Sequence, residues 1–185
     1  MDTPPAPGFQ PEPAANRGLD RGPAPWNHVS SPLEKVIEYL FLGELLRALW
    51  RKGRRDVEVL RVDVDSYGYD LVIECNGFIR HIQLKASFAG STTAKQKINT
   101  ALSRKASGCV IWIDYDPTTM QLGPFRWFGD VPGSPLPNLG EKIARHTKGD
   151  RTGAKGLRTA IRLLNGGAFE RVADIDGVAL KLFGI

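Results

Sequence analysis

The pattern of apolar and polar residues in the first third of the chain predicts one long helix. From Ser30 to Trp50, apolar residues recur every three or four positions, the spacing that gathers them on one helix face. Ser30 suits the cap of this helix, Pro32 suits its first turn and Gly53 suits its end. The segment is therefore expected to be a helix with one face in a hydrophobic core.

After this helix the pattern changes to that of strands. Short apolar runs predict strands over residues 57–64, 69–74 and 78–86. The Asn76-Gly77 pair between the last two runs is the residue pair most typical of a two-residue hairpin turn. Residues 108–114 form a continuous apolar run, which predicts a central strand covered on both faces.

The remaining segments are less regular. Residues 94–105 hold too few apolar positions to choose between helix and strand, and residues 125–128 predict an edge strand. Residues 129–137 are rich in proline and glycine and predict a long loop. Residues 153–165 have helical spacing, and residues 174–183 predict a short last helix. This order predicts an α/β fold in which helices flank a mixed sheet.

Composition divides the chain into a tail and one domain. Residues 1–25 hold seven of the thirteen prolines and predict a disordered tail, and residues 26–185 predict a single domain. No run approaches the roughly 20 apolar residues that span a membrane, and the start of the chain has no secretory pattern. Cys75 and Cys109 fall in predicted strands, as expected of buried thiols in a cytoplasmic protein.

Polar residues on the hairpin are the candidates for chemistry. Because strand side chains alternate between faces, Gln83 and Lys85 project to the same side of their strand, and Asp70 approaches from the strand before. Mg²⁺ binds hard oxygen ligands and keeps several waters, so few protein ligands suffice. A lysine beside a metal-bound water can orient that water or stabilise charge on a phosphate. The hairpin thus predicts a Mg²⁺ (or Mn²⁺) site for phosphodiester hydrolysis.

A glutamate on the long helix is expected to join this site. At about 100° per residue, Glu44 shares a narrow sector of the helix with Leu33, Ile37 and Leu40. It is therefore expected to point into the core, where carboxylates are usually paired, protonated or bound to a metal. Glu38, towards the edge of the apolar face, is the second choice for this role. The alternative is that Glu44 pairs with a structural arginine.

The hairpin residues resemble the motif of the PD-(D/E)xK nuclease superfamily, which includes restriction endonucleases and Holliday junction resolvases. In that motif an Asp after a turn is followed, on the next strand, by an acid, any residue and a lysine. Asp70 and Lys85 match the first and last positions. Gln83 departs from the motif, because an amide oxygen can ligate a hard cation but adds no negative charge.

The resemblance covers residues 31–114 and implies a restriction-endonuclease-like α-β-β-β-α-β core, with residues 115–185 as an extension. It implies that Asp70 and the carbonyl of Leu84 hold the metal, with Gln83 as a weaker ligand. It also implies that Glu44 supports the metal through water and that Lys85 activates or orients the attacking water.

The charge of the chain suits a partner that carries phosphates. The net charge is +5 and the isoelectric point is near 9.4. Basic residues that follow the hairpin are the predicted contacts to a nucleic-acid backbone. They are Lys95, Lys97, Arg104, Lys105, Lys148, Arg151, Lys155 and Arg158. A solvated basic face that binds nothing is the alternative for the second half of this set.

These features lead to one main functional hypothesis, a Mg²⁺-dependent DNA endonuclease. A two-fold dimer would suit an enzyme that cuts both strands of a duplex. The first alternative is a catalytically lapsed module of the same fold that binds nucleic acid or a partner protein, and the glutamine at position 83 favours it. The second is a structural subunit of a defence or mobile-element complex.

Overall fold

The predicted long helix is present as α1, Ser30–Arg51. The structure is a computed structural model, and it describes residues 30–61, 67–146 and 156–185. Residues 31–185 group into one compact unit. The predicted tail over residues 1–25 lies outside the described residues. Neither described helix is long and apolar enough to cross a membrane.

The other elements follow α1 in chain order. They are β1 (Glu58–Arg61), β2 (Leu71–Cys75), β3 (Phe78–Phe88), β4 (Lys95–Asn99), a 3₁₀ helix (Thr100–Arg104), β5 (Gly108–Tyr115), β6 (Leu122–Phe128), β7 (Ile143–Arg145), β8 (Leu157–Asn165), a second 3₁₀ helix (Gly166–Ala168), β9 (Glu170–Val172) and α2 (Ile175–Phe183). The predicted strands before position 90, the central strand and the last helix are therefore confirmed, with shifts at their ends, except that residues 62–64 of the first predicted strand lie outside the described residues.

Six of the strands form a mixed sheet in the order β1-β2-β3-β5-β6-β9. β3 and β5 are parallel, and the other neighbours are antiparallel. Both helices pack on one face of this sheet, where Phe41 of α1 and Phe183 of α2 join the core of Ile82 and Ile111. All eight residues of β5 are buried, as expected of a central strand. The predicted α/β fold with a mixed sheet and flanking helices is confirmed.

The crossover from β3 to β5 differs from the predicted core. The superfamily pattern implies an α-helix there, but the crossover contains β4 and a 3₁₀ helix instead. β4 joins a second, antiparallel sheet in the order β4-β8-β7. Apolar residues of this sheet, such as Ile98 and Leu164, pack with Trp112 on the face of the main sheet away from the helices. The domain therefore has three layers, with the helices on one side and the second sheet on the other.

The prediction of a helix over residues 153–165 is wrong for its described part. Residues 157–165 form β8, and residues 153–155 lie outside the described residues. The apolar residues that suggested a helix are mostly half-buried or exposed, and only Leu164 is buried. β8 pairs with β4 on one side and β7 on the other, so two distant strands override the local periodicity.

Residues 125–128 lie in a strand, but that strand is not at the edge. β6 lies between β5 and β9, and the three-residue β9 forms the edge among the described strands. Cys75 and Cys109 are buried free thiols, as predicted. Burial raises the pKa of Cys109 to about 12, so this thiol stays protonated and behaves as a core residue.

Candidate active site

The site begins where β3 extends beyond β2. β3 has eleven residues and β2 has five, and their pairing ends at Leu71 and Ile82. Beyond this point β3 keeps β5 as a neighbour on one edge, but no described strand lies along the other. Asp70 sits at this step. Its N–H donates to the Ile82 carbonyl at 2.8 Å, and its Oδ2 accepts from the Leu84 N–H at 2.7 Å.

A cavity of about 370 Å³ opens at this edge of β3. It is lined by residues of α1, β3, β4 and β5 together with Asp70. The lining residues are Glu34, Lys35, Ile37, Glu38, Asp70, Gln83, Leu84, Lys85, Ala86, Gln96 and Ile113. The structure thus brings Asp70, Gln83, Leu84 and Lys85 to one cavity.

The register of β3 on β5 determines which groups enter the cavity from β3. Gln83 and Lys85 lie beside Val110 and Trp112, on the face that carries the second sheet. The N–H of Leu84 points along the sheet to Asp70. Because the N–H and C=O of one strand residue point the same way, the Leu84 carbonyl faces this open edge as well. A backbone oxygen therefore joins the side chains at the cavity.

Gln83 carries an unsatisfied buried oxygen. The residue is 4% exposed, and its Oε1 has no hydrogen-bond partner. Among the described side chains one other buried atom shares this condition, Nη1 of Arg80, whose guanidinium makes three other hydrogen bonds. A buried acceptor without a donor costs about 1–3 kcal/mol, and an ordered water or an ion is one way in which such an atom is satisfied.

Glu44 does not lie in this cavity, and the prediction that it joins the site is wrong. The observed buried face of α1 centres on Phe41 and Leu45, both fully buried. At about 100° per residue this centre is turned away from Glu44 and towards Glu38. Glu44 is half-buried at the margin of the face. Glu38, the second choice in the sequence, is 8% exposed and lines the cavity.

Glu38 is held by two basic side chains. Its Oε1 accepts from Arg61 Nε at 2.8 Å and lies 2.7 Å from Arg61 Nη2, while its Oε2 accepts from Lys35 Nζ at 3.1 Å. A hydrogen bond with Tyr39 and then the bond with Glu38 raise the pKa of the Arg61 guanidinium. The carboxylate of Glu38 is therefore fixed in place beside the cavity.

The predicted basic contacts that the structure describes are spread over three elements and the residue after one of them. Lys95 and Lys97 are exposed on β4, with the buried Gln96 between them on the opposite face. Arg104 is exposed on the 3₁₀ helix and Arg158 is exposed on β8. Lys105 is half-buried and lies over two tyrosine rings. Lys148, Arg151 and Lys155 lie outside the described residues.

A further lysine belongs beside Lys95. A hydrogen bond with Lys95, and the positive charge of that residue, lower the pKa of the Lys142 amine. The amines of Lys95 and Lys142 therefore lie close together. Lys95, Lys97 and Lys142 form what we call the basic face.

Two features of the site were not predicted from the sequence. Gln96 lines the cavity from β4, and the signal for it in the sequence is the alternation of polar and apolar residues from Lys95 to Ile98. Gly68 has a φ of +76°, and a Cβ there would lie 2.7 Å from Cβ of Asn99. The glycine two residues before Asp70 is therefore required for the approach of that turn to the 3₁₀ helix.

A metal at this site would have a mixed set of oxygen ligands. Among the described residues no group of three or more histidine, cysteine or acidic side chains could hold an ion. Three residues that line the cavity have oxygens that could serve instead, in the Asp70 carboxylate, the Gln83 amide and the Leu84 carbonyl. All three are hard oxygens of the kind that Mg²⁺ accepts. The orphaned oxygen of Gln83 is the feature that fits a cation best.

The chain matches no protein-family model and no curated protein sequence. A solved structure of a bacterial homing endonuclease is similar over 60% of this chain and 77% of its own, with 20% sequence identity and a TM-score of 0.24. A similarity with this TM-score assigns neither a fold nor an activity to the chain.

Proposed function

We propose that this protein is a Mg²⁺-dependent endonuclease acting on DNA, with its active site in the cavity at the open edge of β3. The proposal is carried by the buried oxygen of Gln83, which lacks a hydrogen-bond partner and shares this cavity with Asp70 and Lys85. In a purely structural role such an oxygen only destabilises the fold. A cation in the cavity would give it a partner.

The metal ligands in this proposal are Asp70, Gln83 and the carbonyl of Leu84. One carboxylate and two neutral oxygens bind Mg²⁺ weakly, so phosphate oxygens of the substrate would complete the site. When bound, the ion would lower the pKa of a coordinated water and neutralise charge on the reacting phosphate. Glu38 takes the supporting role through water that the sequence suggested for Glu44, because its ion pairs hold it beside the cavity.

Lys85 is the proposed catalytic residue. It lies two positions after Gln83 on the same face of β3, and it lines the same cavity as the proposed metal ligands. An ammonium group has three donors and no acceptor, and it can hold a water against the phosphate. It also stabilises the negative charge that grows on the phosphoryl oxygens as that water attacks. Both tasks require a positive charge at this position.

The basic face provides the contact to the DNA backbone. β4 places Gln96 in the cavity and Lys95 and Lys97 on the outer side of the same strand. These side chains are therefore within one or two residues of the cavity along β4. Lysines that contact phosphates bind without reading sequence, so the proposal includes no sequence specificity from this surface.

A second function, binding without catalysis, is favoured by one observation. Gln83 stands where the related nuclease motif has an acid, and the described residues hold no cluster of three metal-binding side chains. A module of this kind would bind nucleic acid or a partner protein through the basic face and would bind no metal.

Nicking of supercoiled plasmid in Mg²⁺ or Mn²⁺ tests the proposal. We expect wild type to nick the plasmid and Lys85→Ala to lose roughly 100-fold or more, the size of losing one electrostatic contact to a transition state. Lys85→Arg keeps the positive charge but changes the shape of the charged group, so partial activity is expected. Lys52→Ala is the matched control, because Lys52 is exposed directly after the last residue of α1, whereas the cavity is lined by residues near the start of that helix.

The binding module predicts a different result in the same assay. Wild type would then bind DNA without nicking it in either metal, and Lys85→Ala would behave like Lys52→Ala. That outcome would favour the binding module over the endonuclease.

A further inference from the structure

Two tyrosines form a small aromatic surface next to the cavity. The ring centroids of Tyr67 and Tyr69 lie 6.2 Å apart, and the ring planes differ by 25°. The ammonium of Lys105 lies 4.8 Å from the centroid of Tyr67 and 5.3 Å from that of Tyr69. The surface therefore combines two nearly parallel rings with one positive charge.

The ring of Tyr69 is anchored by packing, and the ring of Tyr67 is exposed to solvent. Tyr69 is half-buried, packs against the core under the second sheet and meets the ring of His81 edge-on at 4.9 Å. Tyr67 is 53% exposed. Tyr67 therefore contacts the anchored ring and Lys105 while about half of its surface stays exposed to solvent.

This surface lies close to the proposed metal ligands. Tyr69 directly precedes Asp70, and His81 lies two residues before Gln83 on the same face of β3. Residues two positions apart on a strand are separated by about 6.5–7 Å. A nucleic-acid chain rises about 3.4 Å per nucleotide along each strand of a duplex, so the tyrosines lie a few nucleotides from the cavity.

We propose that Tyr67 stacks on an unpaired base of the DNA substrate, with Lys105 contacting the adjacent phosphate. This inference rests on the proposed function and names DNA with single-stranded nucleotides beside the cleaved bond as its preferred substrate. The reason is that bases inside a continuous duplex stack on each other, and only an unpaired base offers its face to a protein ring. Stacking on aromatic side chains beside a basic groove is the usual way in which single strands are bound without sequence preference.

Fluorescence anisotropy with two labelled DNAs tests this inference. One DNA is a fully paired duplex, and the other is the same duplex with a short single-stranded flap. Binding is measured in EDTA, so that no DNA is cut. We compare wild type, Tyr67→Ala and Tyr67→Phe. Trp50→Ala is the matched control, because Trp50 is also an exposed ring beneath a cation, with the Arg55 guanidinium 3.4 Å from its centroid, but it lies near the far end of α1.

We expect wild type to prefer the flap DNA. Tyr67→Ala should lower affinity for the flap by roughly 5- to 150-fold, the range typical of one stacked base, and should leave affinity for the duplex unchanged. Tyr67→Phe keeps the ring and should retain the preference. Trp50→Ala should resemble wild type on both DNAs.

Two results would overturn the inference. One is equal affinity of wild type for the two DNAs, and the other is an equal loss on both DNAs in Tyr67→Ala. If wild type still nicks plasmid in either case, only the stacking proposal fails. If wild type neither binds DNA nor nicks it, the proposed function fails together with this inference.

Discussion

The carboxylate of Asp70 accepts a hydrogen bond from the backbone N–H of Leu84, with 2.7 Å between Oδ2 and N. The pairing of β2 with β3 ends at Ile82, so the N–H of Leu84 has no strand partner on this side and bonds to the side chain of Asp70 instead. The same contact holds Asp70 at the wall of the cavity. Asp70 thus has a structural task and a proposed metal-binding task, and two substitutions can separate them.

Asp70→Asn should remove the metal site and keep the fold, because an amide oxygen can still accept from Leu84 but carries no charge. Asp70→Ala should remove the metal site and also lower the free energy of unfolding by about 1–3 kcal/mol, since the Leu84 N–H is left without its acceptor. Calorimetric titration with Mn²⁺ and urea unfolding measure the two effects. Wild-type affinity for Mn²⁺ in Asp70→Asn would remove Asp70 from the metal site.

Gln83 should link metal binding to stability. Gln83→Glu places a charge where the side chain is 4% exposed, so thermal unfolding in EDTA should begin at a lower temperature than in wild type. Added Mn²⁺ should raise the unfolding temperature of this variant by more than that of wild type, because the ion pairs the charge. Gln83→Leu removes the unsatisfied oxygen, and it should be at least as stable as wild type and indifferent to Mn²⁺.

Differential scanning calorimetry with and without Mn²⁺ measures all three proteins. Equal shifts in wild type and Gln83→Leu would mean that Mn²⁺ binds elsewhere. No shift in wild type or in Gln83→Glu would favour the binding module over the enzyme.

Two glutamates of α1 provide a direct test of the observed helix orientation. Glu38→Gln removes the charge that balances Arg61 and Lys35, so it should lower both the urea midpoint and plasmid nicking. Glu44→Gln should leave nicking near the wild-type level, because Glu44 does not line the cavity. The reverse order of effects would return the supporting role to Glu44.

The basic face should determine how DNA binding depends on salt. Each phosphate neutralised on duplex DNA contributes roughly 0.9 to the slope of log affinity against log salt. Replacing Lys95 and Lys97 with alanine should therefore reduce the slope by up to about 1.8, equally for unrelated DNA sequences. Anisotropy over a salt series measures this, with Lys52→Ala as the control. An unchanged slope in the double variant would mean that Lys95 and Lys97 are solvent-exposed residues that do not contact DNA phosphates.

Features that depend on neighbouring residues could be predicted from the sequence alone. Asn76 and Gly77 have φ values of 55° and 73°, the positive pair that the Asn-Gly turn of a tight hairpin requires. This turn sets the pairing of β2 with β3, and the alternation along β3 then puts Gln83 and Lys85 on one face. The hairpin part of the site followed from these short-range rules.

Features that depend on distant partners were decided only by the tertiary structure. β8 has helical spacing in its sequence, yet its backbone groups bond to β4 and β7, which lie far from each other along the chain. The apolar pattern of α1 puts Glu44 in the middle of the apolar face and Glu38 towards its edge, so the sequence alone favours Glu44. Only the packing of Phe41 and Leu45 on the sheet decides which of them faces the cavity. The free energy of burying those side chains is much larger than any local preference for one face of the helix over another.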